Sequence, residues 1–251
     1  MINKRLVGGV VVCLGLIIVI SLVGADSRND QEGLRLPSSL GSYSEYGFYK
    51  IDPETILVSL KNGDANVFQP LLKDPNEIWE EISDLSIWWT QADFMRIFSA
   101  LSKLVWNESM DPQVWSIYNI YFSGWCADDS CNLDSVQVVY FKTVGNSYAT
   151  RFMDIHPYFG LVRWGDGASY PKPLLYKWKG VELAKSKITA EDALRIAEIN
   201  GGREKRLKTT DGCYVSVNSS RFAPEYWDVF CVAGYRSAIN FDTGEAKISD
   251  W

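Results

Sequence analysis

Residues 6–23 form an uncharged, apolar run of 18 positions, interrupted only by Gly8, Gly9, Gly15 and Ser21 and preceded by Lys4 and Arg5. That length reaches the lower limit of a bilayer span and exceeds the usual signal-peptide core, so the pattern predicts a single membrane segment. The basic start holds the beginning of the chain in the cytoplasm and sends the rest across. Val23-Gly24-Ala25 also supplies residues for cleavage after Ala25, so residues 1–25 read as a signal anchor or a cleaved signal peptide. Either way the remainder lies outside the cytoplasm: held at the cell membrane with its C-terminal domain outside, or secreted. Cys13 does not read as a lipidation site, because Val12 precedes it and the apolar run continues past it.

Beyond Ala25 the pattern changes four times. Residues 26–47 are rich in Ser, Gly, Asp and Asn with few apolar anchors, the composition of a flexible tether. Residues 48–89 read as a helical lead-in. Asp52-Pro53-Glu54 opens a short helix carrying Ile56, Leu57 and Leu60 and closed by Asn62-Gly63, and Asp74-Pro75 opens another with Ile78, Ile82 and Leu85 on one face. Thr90 then caps a stronger helix, with Asp93 in the capping-box position and Phe94, Ile97, Phe98, Leu101, Leu104 and Val105 at helical spacing. Four strands with aromatic and β-branched alternation follow, near 115–123, 135–142, 147–155 and 160–164, then a Gly- and Pro-rich connector over 165–173 and a further strand near 174–178.

The same order then recurs. Thr189 and Asp192 cap a helix with Ala193, Ile196 and Ala197 on its apolar face, ending at Gly201-Gly202, and strands follow near 213–217, 226–233, 235–241 and 245–249. Thr90, Asp93, Arg96 and Ile97 match Thr189, Asp192, Arg195 and Ile196 at a constant offset of 99; Val138 with Val229, Tyr148 with Tyr235 and Gly160 with Gly244 follow at 91, 87 and 84, as shorter loops would produce. The expected fold class is therefore α+β, with two helix-plus-antiparallel-sheet units at 90–178 and 186–251.

Residues 188–197, Ile-Thr-Ala-Glu-Asp-Ala-Leu-Arg-Ile-Ala, and residues 238–245, Ala-Ile-Asn-Phe-Asp-Thr-Gly-Glu, resemble the opening helix and the closing strand with its aspartate-glycine turn in PepSY domains. The resemblance covers about residues 186–251, with a degenerate second copy at about 90–165. It implies a small unit with one helix on an antiparallel sheet, in exported or membrane-attached proteins, associated with binding and with restraining peptidases. It brings no catalytic residues, and Cys213 and Cys231 are additions to its usual pattern.

Charge and cysteines narrow the function classes. Without Lys4 and Arg5 the chain has 23 basic and 31 acidic residues, a formal charge of −8, which argues against nucleic acid and likewise against an anionic membrane surface. Cys126, Cys131, Cys213 and Cys231 make an even set in an exported chain and read as disulfides, with sequence spacing favouring Cys126 with Cys131 and Cys213 with Cys231. With one histidine, His156, the cysteine spacing does not suit zinc. His156, before Pro157, reads as a turn-capping or surface residue, with no nucleophile motif pointing to it. Asp128, Asp129, Asn132 and Asp134 could crowd oxygen ligands around calcium, but without an EF-hand pattern they read as a solvated hairpin tip. Asn107-Glu108-Ser109 and Asn218-Ser219-Ser220 fit the glycosylation pattern.

Of the ten tryptophans most belong in the core. Trp88, Trp89, Trp125 and Trp164 are the candidates for exposed rings that would stack on sugars or peptides. No catalytic constellation, metal set or cofactor motif emerges. The expected function is a non-catalytic binding or regulatory module for an extracytoplasmic protein or peptide, with cell-envelope glycan binding or a carboxylate-based hydrolase as alternatives.

Overall fold

The computed structural model describes residues 45–64, 66–71, 89–107, 114–127, 130–167, 169–172, 178–208, 213–218, 225–231 and 234–248. The membrane run, nearly all of the tether, the helix expected to open at Asp74-Pro75 and residues 174–177 lie outside them. Among the described residues no helix is long and apolar enough to cross a membrane. In chain order come β1 (Glu45–Lys50), α1 (Ile56–Lys61), β2 (Gln69–Leu71), α2 (Gln91–Trp106), β3 (Ser116–Ala127), β4 (Ser130–Val144), β5 (Ser147–His156), β6 (Leu161–Asp166), β7 (Tyr170–Pro171), α3 (Ala190–Ala197), α4 (Arg203–Arg206), β8 (Cys213–Asn218), β9 (Tyr226–Cys231), β10 (Tyr235–Asn240) and β11 (Ala246–Ile248).

The fold is α+β with one antiparallel sheet, in the order β11-β10-β9-β8-β3-β4-β5-β6-β1-β2, with β7 beside β5. One helix followed by four strands therefore occurs twice, as the meanders β3 to β6 and β8 to β11. The two meanders join through their first strands, where Asn119 to Gly124 of β3 pair with Asn218 to Cys213 of β8. The residues assigned to two units thus share a continuous sheet. Tyr148 and Tyr235 stand near the starts of β5 and β10, and Gly160 and Gly244 take positive φ (57° and 70°) in the turns before β6 and β11, a backbone region in which only glycine avoids a Cβ clash.

The lead-in differs from the helical expectation. Its described part holds one short helix, α1, between β1 and β2, and β1 extends the sheet by pairing along its whole length with β6. Residues 45–47, assigned to the tether, belong to β1; the run Glu45 to Lys50 carries Tyr46, Phe48 and Tyr49, a strand composition hidden by the Ser- and Gly-rich residues before it. The helix opened by Thr189 ends before Gly201-Gly202 as its sequence implies, with Asn200 and Gly201 (φ 108°) outside helical geometry, and the short α4 follows.

Both helices begin with the capping boxes that their sequences spell: Thr90 accepts from the Asp93 N–H and Thr189 from the Asp192 N–H, and each aspartate returns a bond to its threonine. Such a cap contributes about 1 kcal/mol. α2 buries Phe94, Ile97, Phe98 and Leu101, and α3 buries Ala190, Ala193, Leu194 and Ala197. They enter the same core, in which Phe94 meets Phe122 of β3 and Phe122 meets Trp227 of β9, with ring centroids 6.1 Å apart in each pair. The small residues of α3 let it lie close on β3, β4, β8, β9 and β10.

The two helix starts also cap each other. The Gln91 N–H donates to Glu191 Oε1 at 2.8 Å, and the Ala190 N–H donates to Gln91 Oε1 at 2.9 Å. First-turn N–H groups have no partner within their own helix, and here each helix finds one on the other. The Glu191 carboxylate also lies where two helix dipoles present their positive ends.

Candidate functional site

Along β4 the core-facing Val136, Val138 and Tyr140 alternate with Gln137, Val139 and Phe141, which face away from the helices. On that helix-free face the register sets Tyr121, Gln137, Asp154 and Arg163 side by side on β3, β4, β5 and β6. The row continues through the β3/β8 join to Asp228 on β9. Gln137, Asp154, Arg163 and Asp228 therefore share a polar row on this face, which ends where Ala238 of β10 follows Asp228.

Asp154 is the centre of the first half of this row, and it is completely buried. Its Oδ2 accepts from Arg163 Nη2 at 2.5 Å and Nε at 3.1 Å. Its Oδ1 lies 2.8 Å from His156 Nε2. Burial alone would push the Asp154 carboxyl up, but His156 and Arg163 outweigh it and hold the group below the ordinary aspartate value. Asp134 goes the other way. Burial raises its carboxyl, against the opposing effects of Ser123, its own backbone, His156 and Ser135.

In the second half of the sheet the row is open. Arg236 donates to Asp228 through Nε (2.8 Å) and Nη2 (2.6 Å), with the two side chains 27% and 28% exposed. Beside them Phe230 is 44% exposed, and Lys247 lies 5.3 Å from the Tyr226 ring centre. A third ion pair sits on the helix side, where Arg206 grips the buried Glu198 at 2.6 and 3.1 Å. Burial, with Glu198 nearby, pushes the Tyr235 phenol up.

His156 corrects the expectation of a turn-capping or surface residue. It precedes the Pro157–Phe159 turn but makes no side-chain cap and is only 5% exposed, because it belongs to a strand whose two faces are both covered. Trp89 is 2% exposed, edge-on to Phe94 at 5.3 Å, and its backbone bridges to Leu133. Trp164 packs on the core edge-to-face with Trp106 at 5.9 Å, and a side chain at Gly47 would collide with its indole. Trp89 therefore offers no open stacking face, whereas Trp164 is half-buried. Trp125 pairs through its backbone with Asn132, while its side chain, like the whole of Trp88, lies outside the described residues. Trp178, not among the candidates, is stacked on Tyr148 (4.4 Å) and lies against Tyr118 (4.2 Å).

Cys126 and Cys131 form a disulfide across directly opposed positions of β3 and β4. Cys231 is disulfide-bonded, and Cys213 stands opposite it in the β8/β9 register, as the expected second pair requires. Asp128 and Asp129 lie outside the described residues, and among the described ones no group of three or more His, Cys, Asp or Glu is arranged to hold a metal.

Asp154 with Arg163, and Asp228 with Arg236, were not singled out from the sequence. The signal for the first pair was present: a tight turn over 157–160 sets residue 154 opposite 163. Chemically, Asp154 is committed to a cation and a histidine, which suits it to fixing strand register rather than to attacking a substrate. The open Asp228, Phe230, Arg236 and Tyr226 surface has the composition of a contact face. No protein-family model, curated protein or solved structure matches the chain.

Proposed function

We propose that the chain is an extracytoplasmic, non-catalytic binding or regulatory module, held at the membrane through residues 6–23 or released after Ala25, and built from two PepSY-like helix-plus-sheet units. Its partner is a protein or peptide. The observation that carries this reading is the contrast between the two halves of the helix-free face. Over the first meander the face is closed around Asp154, whereas over the second it presents Phe230, 44% exposed, beside the half-buried Asp228 and Arg236. An exposed aromatic ring flanked by a fixed ion pair gives a partner both apolar area and hydrogen-bonding register. Among the described residues the neighbouring short strand β11 is the sheet's last and pairs with β10 on one side only, a place where a strand could be added. The buried ring of Trp89 disfavours the glycan alternative, and the commitment of Asp154 to Arg163 disfavours the hydrolase.

The test is a photo-crosslinking amino acid at Phe230 of the full chain, with the same group at exposed Val58 as control. A defined partner captured from Phe230 but not from Val58, and lost on Arg236→Asp, supports the reading. Equal capture from both positions, or substrate turnover abolished by Asp154→Asn with the fold intact, defeats it.

A further inference from the structure

The net negative charge of the chain hides a local exception. Within residues 198–208, Arg203, Lys205, Arg206 and Lys208 stand against two carboxylates, Glu198 and Glu204, which hold Arg206 and Lys208. Of the four cations all but Arg206 are exposed. In the same corner lie Ile199, 78% exposed, and Leu207, 68% exposed, the two most exposed large apolar side chains among the described residues. The bidentate Glu198–Arg206 pair fastens the turn at 198–202 to α4, so Ile199 and Leu207, each next to one partner of that pair, belong to one fixed corner rather than to two separate loops.

Water is a poor solvent for two such side chains, and cations set beside them point to the surface that accepts both. At a lipid interface, headgroup phosphates take the cations while short apolar side chains enter the acyl boundary. A soluble polyanion would engage Arg203 and Lys205 but leave Ile199 and Leu207 in water. The remaining acidic surface is repelled by an anionic bilayer, so the charge asymmetry itself orients the molecule with this corner inward. We propose that the corner formed by residues 198–208 docks onto an anionic lipid surface. This rests on the membrane-held reading of residues 6–23 only for which membrane is nearest.

The experiment is amide hydrogen exchange on the full chain in nanodiscs of phosphatidylcholine alone and of phosphatidylcholine with phosphatidylglycerol in equal parts. Docking slows exchange in residues 198–208 several-fold in the anionic discs only, leaves β4 and β5 unchanged, and is reversed by high salt. The double substitution Ile199→Ser with Leu207→Ser, both at exposed positions, abolishes the slowing. Equal exchange in the two discs overturns the proposal. So does protection by soluble polyphosphate in neutral discs that survives the double substitution, which would assign the cations to a soluble polyanion. If the chain does not stay with the discs, the anchor reading fails by itself. The same measurement with phosphatidylglycerol vesicles added to the free chain then decides the docking.

Discussion

Replacing Asp154 by asparagine keeps the side-chain volume but removes the charge that answers Arg163 and His156 in a site without solvent. Asp154 is fully buried and the Arg163 side chain is 21% exposed, so the residual guanidinium charge finds only partial relief in water. Breaking a buried pair from one side costs about 3–5 kcal/mol, far above the ~1 kcal/mol ceiling of an exposed pair. The pH dependence carries the sign. The folded-state carboxyl is held below its ordinary value, so its stabilisation is fully present above the unfolded value of about 3.9 and is lost as pH falls through the folded one. Urea unfolding followed by tryptophan fluorescence in mild detergent, at neutral pH and below pH ~4, should therefore show a large deficit for Asp154→Asn that shrinks on acidification. Asp134 supplies the opposite sign. Its carboxyl is raised by burial, so its ionisation penalises the fold increasingly as pH rises from the unfolded value through the folded one. Asp134→Asn should be neutral or stabilising at neutral pH. A deficit for Asp154→Asn below ~1 kcal/mol, or one that does not vary with pH, would refute the reasoning.

The reciprocal caps predict two separate losses: Gln91→Ala removes the acceptor of the Ala190 N–H and Glu191→Ala the acceptor of the Gln91 N–H, so in the same unfolding assay each should cost about 1 kcal/mol; no loss from either variant would rule out the interlock. Mass mapping of unreduced peptides should recover Cys126 with Cys131 and Cys213 with Cys231, and losing the second bond should cost about 3 kcal/mol through its closed loop. Crossed pairs or free thiols would contradict this. Trp89→Ala should destabilise by about 3–5 kcal/mol as a core truncation, whereas Phe230→Ser should stay within about 0.5 kcal/mol of the parent in the same unfolding assay; the reverse order would mean that the exposed and packed rings have been misassigned.

Much of the fold was legible because its signals are local. Thr90 with Asp93 and Thr189 with Asp192 spell helix starts in four residues, and the cap bonds form as spelled. Alternation marked β3 to β6 and β8 to β11 to within a few residues, since a strand half in the core must repeat every second position. β1 was not legible, because its six residues follow a polar stretch and acquire their partner β6 from more than a hundred positions away. Nor could local pattern reveal that the two meanders join at β3 and β8. That pairing depends on which strand edges are left over once each meander has formed.

The site was harder to read for a related reason. Period-two alternation identifies one buried face and leaves the other to be taken as solvated, which is correct for β10, where Arg236, Ala238 and Asn240 are half-buried between buried neighbours. It fails for β4 and β5, whose positions 136–141 and 152–156 are buried on both faces. There Gln137, Asp154 and His156 look like outward polar residues in the sequence, although in the sheet they have no water to face. Their partners are then dictated by register, and register follows from the 157–160 turn that brings Arg163 to Asp154. A charged residue at an outward position of a central strand is therefore better read together with its cross-turn neighbour than alone. By that reading Asp154 and Arg163 help to fix the β5/β6 register: a one-residue shift would separate the buried Asp154 carboxylate from the Arg163 guanidinium that answers it, a cost of about 3–5 kcal/mol.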